Sequence, residues 1–168
     1  MTSFRVNVAD LVHRPSARRH ERVTGHLEGL RVVDTGVEAR ADVVVDAVLE
    51  WVSDGLLARG TVSAPWQGPC RRCLVEVHGH VEAGFQELFE AEPREGESYA
   101  LRHDHVDFEP LAREVLLLEL PLAPLCQEAC AGLCPLCGAD RNREPCGHQT
   151  AERDPRWAAL DELHEDTE

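Results

Sequence analysis

Alternation of apolar and polar positions is sharpest in the middle of the chain. Val43, Val45, Ala47, Leu49 and Trp51 occupy every second position, opposed by Asp46 and Glu50, which predicts a half-buried strand. Ser53-Asp54-Gly55 is a turn signal, and the pattern resumes with Leu56, Ala58, Val62, Ala64 and Trp66 in phase, so the two runs predict a β-hairpin. Gln67-Gly68-Pro69 reads as a break in the second strand just before Cys70. A third strand leaves Cys73, with Val75, Val77, Val81, Ala83 and Phe85 on one face and Glu76, His78, His80 and Glu82 on the other. Cys70 and Cys73 are thereby placed at the tip between two strands.

The flanks are patterned more weakly. Residues 4–9 alternate enough for a first strand, and a polar loop rich in arginine and histidine follows. Val23 to Val33 predicts another strand. Glu87 to Ser98 is acidic, holds proline and glycine, and predicts a flexible loop. Val106-Asp107-Phe108 suits a short strand. Pro110 suits the first turn of a helix with Leu111, Val115 and Leu118 down one face, Leu117 beside it and Pro121 as its stop. In the tail, Asp154 and Pro155 are helix-start signals ahead of Trp157, Leu160 and Leu163. The expected fold class is α+β, predominantly antiparallel β, as a β-hairpin sheet with short helices and a C-terminal zinc-bound segment. The expected division is a β-rich domain over 1–120, a cysteine-rich segment over 121–150 packed on the hairpin tip, and an acidic tail over 151–168.

Charge narrows the choice of partner. The 168 residues carry a net charge of −14, and all 17 basic residues are arginine. A chain this acidic repels phosphates, which disfavours a nucleic-acid-coating role. The basic exception is Arg14, Arg18, Arg19 and Arg22, interleaved with His13 and His20. A solvated loop explains that stretch more simply than a binding patch. The start, Met1 to Val6, shows no long apolar run, and no stretch is long enough to span a bilayer. The expectation is a cytoplasmic protein without a membrane partner.

The cysteines change the picture most. Five of the seven lie between Cys126 and Cys146, and the other two are Cys70 and Cys73. With His148 they make eight soft donors. Structural zinc takes four such donors, so the count suits two closed sites. Cys70, Cys73, Cys126 and Cys130 make one, and Cys134, Cys137, Cys146 and His148 the other. A single ion, held by Cys70, Cys73, Cys134 and Cys137, is the one-site alternative. Structural disulfides are the plainer rival, disfavoured where thiols stay reduced. The pairs His78/His80 and His103/His105 could also bind metal, but an exposed strand face accounts for them.

Two enzyme patterns compete. His26-Leu27-Glu28 with Pro69-Cys70-Arg71-Arg72-Cys73 copies the spacing of zinc-dependent deaminases, but leaves five cysteines unused and sits in strand-like sequence. Cys130, Cys134 and Cys137 have the spacing of an iron–sulfur motif in radical enzymes, but only 31 residues follow. No phosphate-binding glycine loop or nucleophilic serine motif is present, so no catalytic residue and no small-molecule substrate is expected.

Taken together, Cys70-Arg71-Arg72-Cys73-Leu74, the passage from Leu111 to Pro121, and the run from Leu125 through Cys126, Cys130, Gly132-Leu133-Cys134-Pro135, Cys137-Gly138 and Asn142 to Cys146 resemble the YceD-like family of large ribosomal RNA subunit accumulation proteins. Family members often close the block with Cys-x-Cys, where this chain has His148, itself an acceptable zinc ligand. The resemblance implies a non-enzymatic factor needed for normal 23S rRNA levels, acting on the large ribosomal subunit precursor. Its partner would be rRNA, a basic ribosomal protein, or both. The acidity of the chain favours the protein.

Overall fold

A computed structural model describes residues 4–53, 55–144 and 146–148. Nine strands and one helix follow in order: β1 (Arg5–Asn7), β2 (Arg18–Gly25), β3 (Arg31–Val32), β4 (Thr35–Gly36), β5 (Val43–Val52), β6 (Gly55–Pro69), β7 (Glu76–Glu90), β8 (Tyr99–Arg102), β9 (His105–Asp107) and α1 (Glu109–Glu119). They form one curled sheet. β6 is its spine, paired antiparallel with β5 from Gly55 to Ser63 and with β7 from Leu56 to Pro69. β2 pairs β5 on one side, while β8, β9 and β1 continue beyond β7 on the other. The sheet is mixed, because β8 joins β7 in parallel at Phe89 and Glu90.

The central alternation is realised as read. Val43, Val45, Ala47 and Leu49 are buried on β5, and Leu56, Ala58, Val62 and Ala64 on β6. Val81 and Phe89 of β7 join them. The helix closes this core with Leu111, Ala112 and Leu116, and Phe108 packs edge-on against Phe89 at 5.6 Å. The Asp107 carboxylate accepts the Glu109 N–H at 3.0 Å at the start of α1, with Pro110 in its first turn.

Several expectations give way to tertiary context. The arginine–histidine loop is in large part β2, because Arg18, His20 and Arg22 find carboxylates across the ladder on β5. The strand expected over 23–33 is therefore split: β2 ends at Gly25 and the short β3–β4 hairpin begins at Arg31. Gln67-Gly68-Pro69 does not break β6. Beyond Ser63 β5 no longer pairs with it, so a missing proline N–H is tolerated there. The loop expected from Glu87 starts after Glu90, because Phe89 is fully buried and Glu90 accepts a hydrogen bond from Ser98 Oγ at 2.8 Å.

Leu118 is 81% exposed rather than buried. The buried stripe steps from Ala112 to Leu116 to Leu120, turning about 40° further round with each four residues, and so leaves Leu118 behind. One helix forms among the described residues, and the signals for a second, at Asp154, Pro155, Trp157, Leu160 and Leu163, lie outside them. His103 belongs to the β8–β9 turn instead of a strand face, with φ of 49° and Asp104 at 59°.

Candidate metal centres

Two four-donor groups stand out. The donor atoms of Cys70, Cys73, Cys126 and Cys130 all lie within 4.8 Å of one another, as do those of Cys134, Cys137, Cys146 and His148. The division is the one expected for two sites, and it separates Cys70 and Cys73 from Cys134 and Cys137, against the one-site pairing. In the first group Cys70 and Cys130 sulfurs are 3.8 Å apart and Cys73 and Cys126 sulfurs 3.6 Å. All seven cysteines are free. Four sulfurs at about 2.3 Å from one tetrahedral ion stand roughly 3.8 Å from each other, whereas a disulfide needs about 2.0 Å. The donor set and spacing fit a metal such as zinc.

The backbone explains why the sulfurs converge. At the β6–β7 tip the Leu74 N–H donates to the Cys70 carbonyl at 2.9 Å and the Cys70 N–H to the Val75 carbonyl at 2.7 Å. The second group repeats the turn: Gly138 N–H to Cys134 carbonyl at 2.8 Å, Cys134 N–H to Ala139 carbonyl at 2.8 Å. Both turns need a left-handed residue after the second cysteine. Gly138 takes it at 74° without strain, while Leu74 takes it at 62°.

These turns also aim N–H groups at sulfur. Burial pushes the Cys70 thiol up, but the N–H groups of Cys73, Cys126 and Arg72 outweigh it and bring it down to about 6. For Cys134 the N–H groups of Cys137 and Leu136 prevail over burial, again to about 6. Their neighbours Cys73, Cys126 and Cys137 are pushed the other way, above the ordinary thiol range, so each group favours one thiolate among thiols and metal binding would displace the remaining protons.

Residues that donate no ligand lock the two parts together. Arg72 donates to the carbonyls of Glu128 and Cys130 at 3.1 and 3.0 Å, and its own carbonyl accepts the Leu133 N–H at 3.0 Å. The Arg71 N–H reaches the Pro124 carbonyl at 2.9 Å. Gly132 permits this approach, since a Cβ there would meet the Arg72 carbonyl oxygen at 3.1 Å. Asn142, in the loop of the second group, donates to Cys130 Sγ at 3.4 Å and accepts the Ala131 N–H at 2.8 Å. It thus bridges the two centres, and Asp140 orients it at 2.7 Å. The sequence marks Asn142 as one of the residues that carry the family resemblance and gives it no role; its reach to a sulfur depends on the fold.

The other candidates lie elsewhere. His26 is hydrogen-bonded to Asp42 at 3.1 Å and belongs to neither group. His78 and His80 are exposed on β7, and His105 bonds the His103 carbonyl at 2.7 Å. No helix among the described residues is long and apolar enough to cross a membrane.

The family described as large ribosomal RNA subunit accumulation protein YceD matches residues 58–164, a span that takes in both groups. The chain belongs to that family. An uncharacterised protein of Mycobacterium tuberculosis is 36% identical, aligned over 94% of this chain and 80% of its own length. YlbN of Bacillus subtilis, also uncharacterised, is 31% identical over 61% of this chain and 63% of its own. A chloroplast protein of Arabidopsis thaliana, named large ribosomal RNA subunit accumulation protein YCED homolog 1, is 32% identical over 36% of this chain and 19% of its own. No solved structure matches. Family membership implies a role in the accumulation of large-subunit ribosomal RNA.

Proposed function

We propose that this chain is a non-enzymatic, cytoplasmic zinc-binding factor of large-subunit assembly. It supports 23S rRNA accumulation by holding or delivering a basic ribosomal protein. The observation that carries the choice of protein over RNA is the state of its basic stretch. Arg18 is paired with Glu50 at 3.0 Å, Arg22 with Asp46 at 3.0 Å, and Arg19 with Glu21 at 2.6 Å and with Asp10. Three of the four arginines of this stretch are engaged by the protein's own carboxylates, which leaves less to offer a phosphate backbone, and the chain as a whole carries −14.

Zinc serves structure in this reading. Each group has four protein donors, the pattern of a closed structural site, whereas a catalytic ion keeps a position for water. The deaminase-type alternative needs His26 beside Cys70 and Cys73, and His26 is engaged by Asp42 instead.

Purification of the tagged chain from its own cells at modest salt, with and without nuclease, tests the partner. A basic large-subunit ribosomal protein that stays bound after nuclease treatment is the expected result. Loss of every ribosomal protein with the RNA overturns the reading in favour of direct rRNA contact.

A further inference from the structure

β7 forms an open flank of the sheet. From Glu76 to Leu88 it is paired with β6 alone, since β8 reaches it only at Phe89 and Glu90. Among the described residues no other backbone–backbone hydrogen bond involves this stretch. At about 3.3 Å per residue the edge is roughly 40 Å long. Every second residue along it directs its N–H and C=O away from β6. Proteins blunt such edges with proline, lysine or a bulge. Residues 76–88 hold no proline or lysine, and their register with β6 is unbroken.

The other margin of the sheet is guarded differently. Arg18, His20 and Arg22 of β2 are bonded to Glu50 and Asp46, and Arg19 reaches the Asn7 carbonyl at 2.6 Å. The core-side face of β7 is also incompletely covered. Val77, Ala83 and Phe85 remain half-buried there, whereas Val81, and Val62 of β6 and Val45 of β5 in line with Ala83, are buried. One more strand would extend the ladder and cover these side chains.

The charges around the edge select its occupant. Its charged positions are all acidic: Glu76, Glu82 and Glu87. The helix packed against β7 adds Glu109, Glu114 and Glu119. The arginines closest by pairing or packing are engaged: Arg59 by Glu50 at 3.1 Å, Arg113 by Glu109 at 3.3 Å and by the Glu28 carbonyl at 2.7 Å. Burial holds the Glu87 carboxyl above its ordinary range, and the neighbouring Glu114 adds to it.

We propose that the free edge of β7 takes an extended lysine- and arginine-rich segment of a partner protein as an added strand. This rests on the reading of a basic ribosomal protein as the partner. The shared ladder would supply affinity, and the glutamates would choose basic side chains and speed encounter. A second copy of the chain would bring two rows of glutamate together. The chain's own residues 149–168 hold seven acidic residues against two arginines, so they too are repelled. RNA would set its phosphates against the same carboxylates.

Overlapping synthetic peptides spanning the basic large-subunit ribosomal proteins of the same genome provide the probe, assayed against the full metal-loaded chain. The tightest binder should slow amide exchange at every second residue across 76–88, by about tenfold or more at saturation. The double variant Glu76→Gln/Glu82→Gln should weaken it about fivefold at low salt and keep the fold. Ala83→Pro and Gly84→Pro control each other, because one of two neighbours directs its N–H outward. The one that retains the parent's melting temperature should bind about tenfold more weakly. If neither folds, the exchange pattern decides alone. Protection confined to another segment, such as 91–98, overturns the edge and leaves the basic-partner reading standing. Protection of the outward-facing amides of 76–88 without peptide overturns it too: one that rises with protein concentration identifies a second copy, and one that does not identifies the tail. If no peptide binds and an rRNA fragment does, both readings fall.

Discussion

The two four-donor groups are built on the same turn yet span the chain differently. In the first, Cys70 and Cys73 come from the β6–β7 tip and Cys126 and Cys130 from the C-terminal block, with sulfurs in contact 53 and 60 residues apart. In the second, Cys134 meets His148 only 14 residues away. The first is mostly buried, while Cys137 and His148 of the second are exposed. Chain-closure entropy hardly separates them: two doublings of loop length cost roughly 1 kcal/mol, against about 10 kcal/mol or more for a structural zinc. What separates them is what each ion would fasten. The first would tie the C-terminal block to the sheet, and the second would shape the loop that carries Asn142.

The largest effect should come from removing a ligand on each side of this comparison. Cys73→Ser is expected to lower bound zinc from two ions to one. It should also speed amide exchange both at the hairpin tip and across 121–133, because ion and fold are coupled. His148→Ala should also lose one ion, with faster exchange confined to residues 131–148. Elemental analysis and exchange mass spectrometry read both. Identical exchange changes in the two variants would erase the distinction drawn here.

Asn142→Ala probes whether the centres act separately. It removes the donor to Cys130 Sγ and the acceptor of the Ala131 N–H, each contact modest in itself. We expect a stability loss of about 1–2 kcal/mol in denaturant unfolding, with both ions still bound. Exchange should quicken in both the 126–133 and 138–146 segments. A change on one side only would mean that Asn142 does not couple them.

The smallest effect concerns the residue that differs between the two turns. Leu74 holds a left-handed φ that Gly138 adopts freely, and it is 64% exposed, so no packing repays the strain. Leu74→Gly should stabilise the chain by about 0.5 kcal/mol, once the greater freedom of glycine in the unfolded state is subtracted. Gly138→Leu should destabilise by about 1 kcal/mol. Thermal melts of the metal-loaded variants measure both. A melting temperature lowered by Leu74→Gly would show that the exposed leucine is packed in solution.

Much of this molecule is local and could be read from the chain alone. The β5–β6–β7 meander follows from strict alternation around short turns, since a strand half-buried on one face writes its period directly into the sequence. The eight soft donors could be counted from the sequence, and four per tetrahedral ion suggests two sets, although the sequence leaves a one-site pairing open.

Other features depend on partners distant in sequence, and only the tertiary structure decided them. Arg18, His20 and Arg22 look like a solvated loop until β5 supplies Asp46 and Glu50 across the ladder. Leu118 looks buried until the helix stripe drifts away from it. Asn142 is one residue of the resemblance block, without a role, until its amide meets Cys130 Sγ. The open edge of β7 is a property of topology, since no residue in 76–88 announces that β8 will join only at Phe89 and Glu90. Periodicity reports which face of an element is buried; which neighbour buries it is settled by contacts that the order of residues does not record.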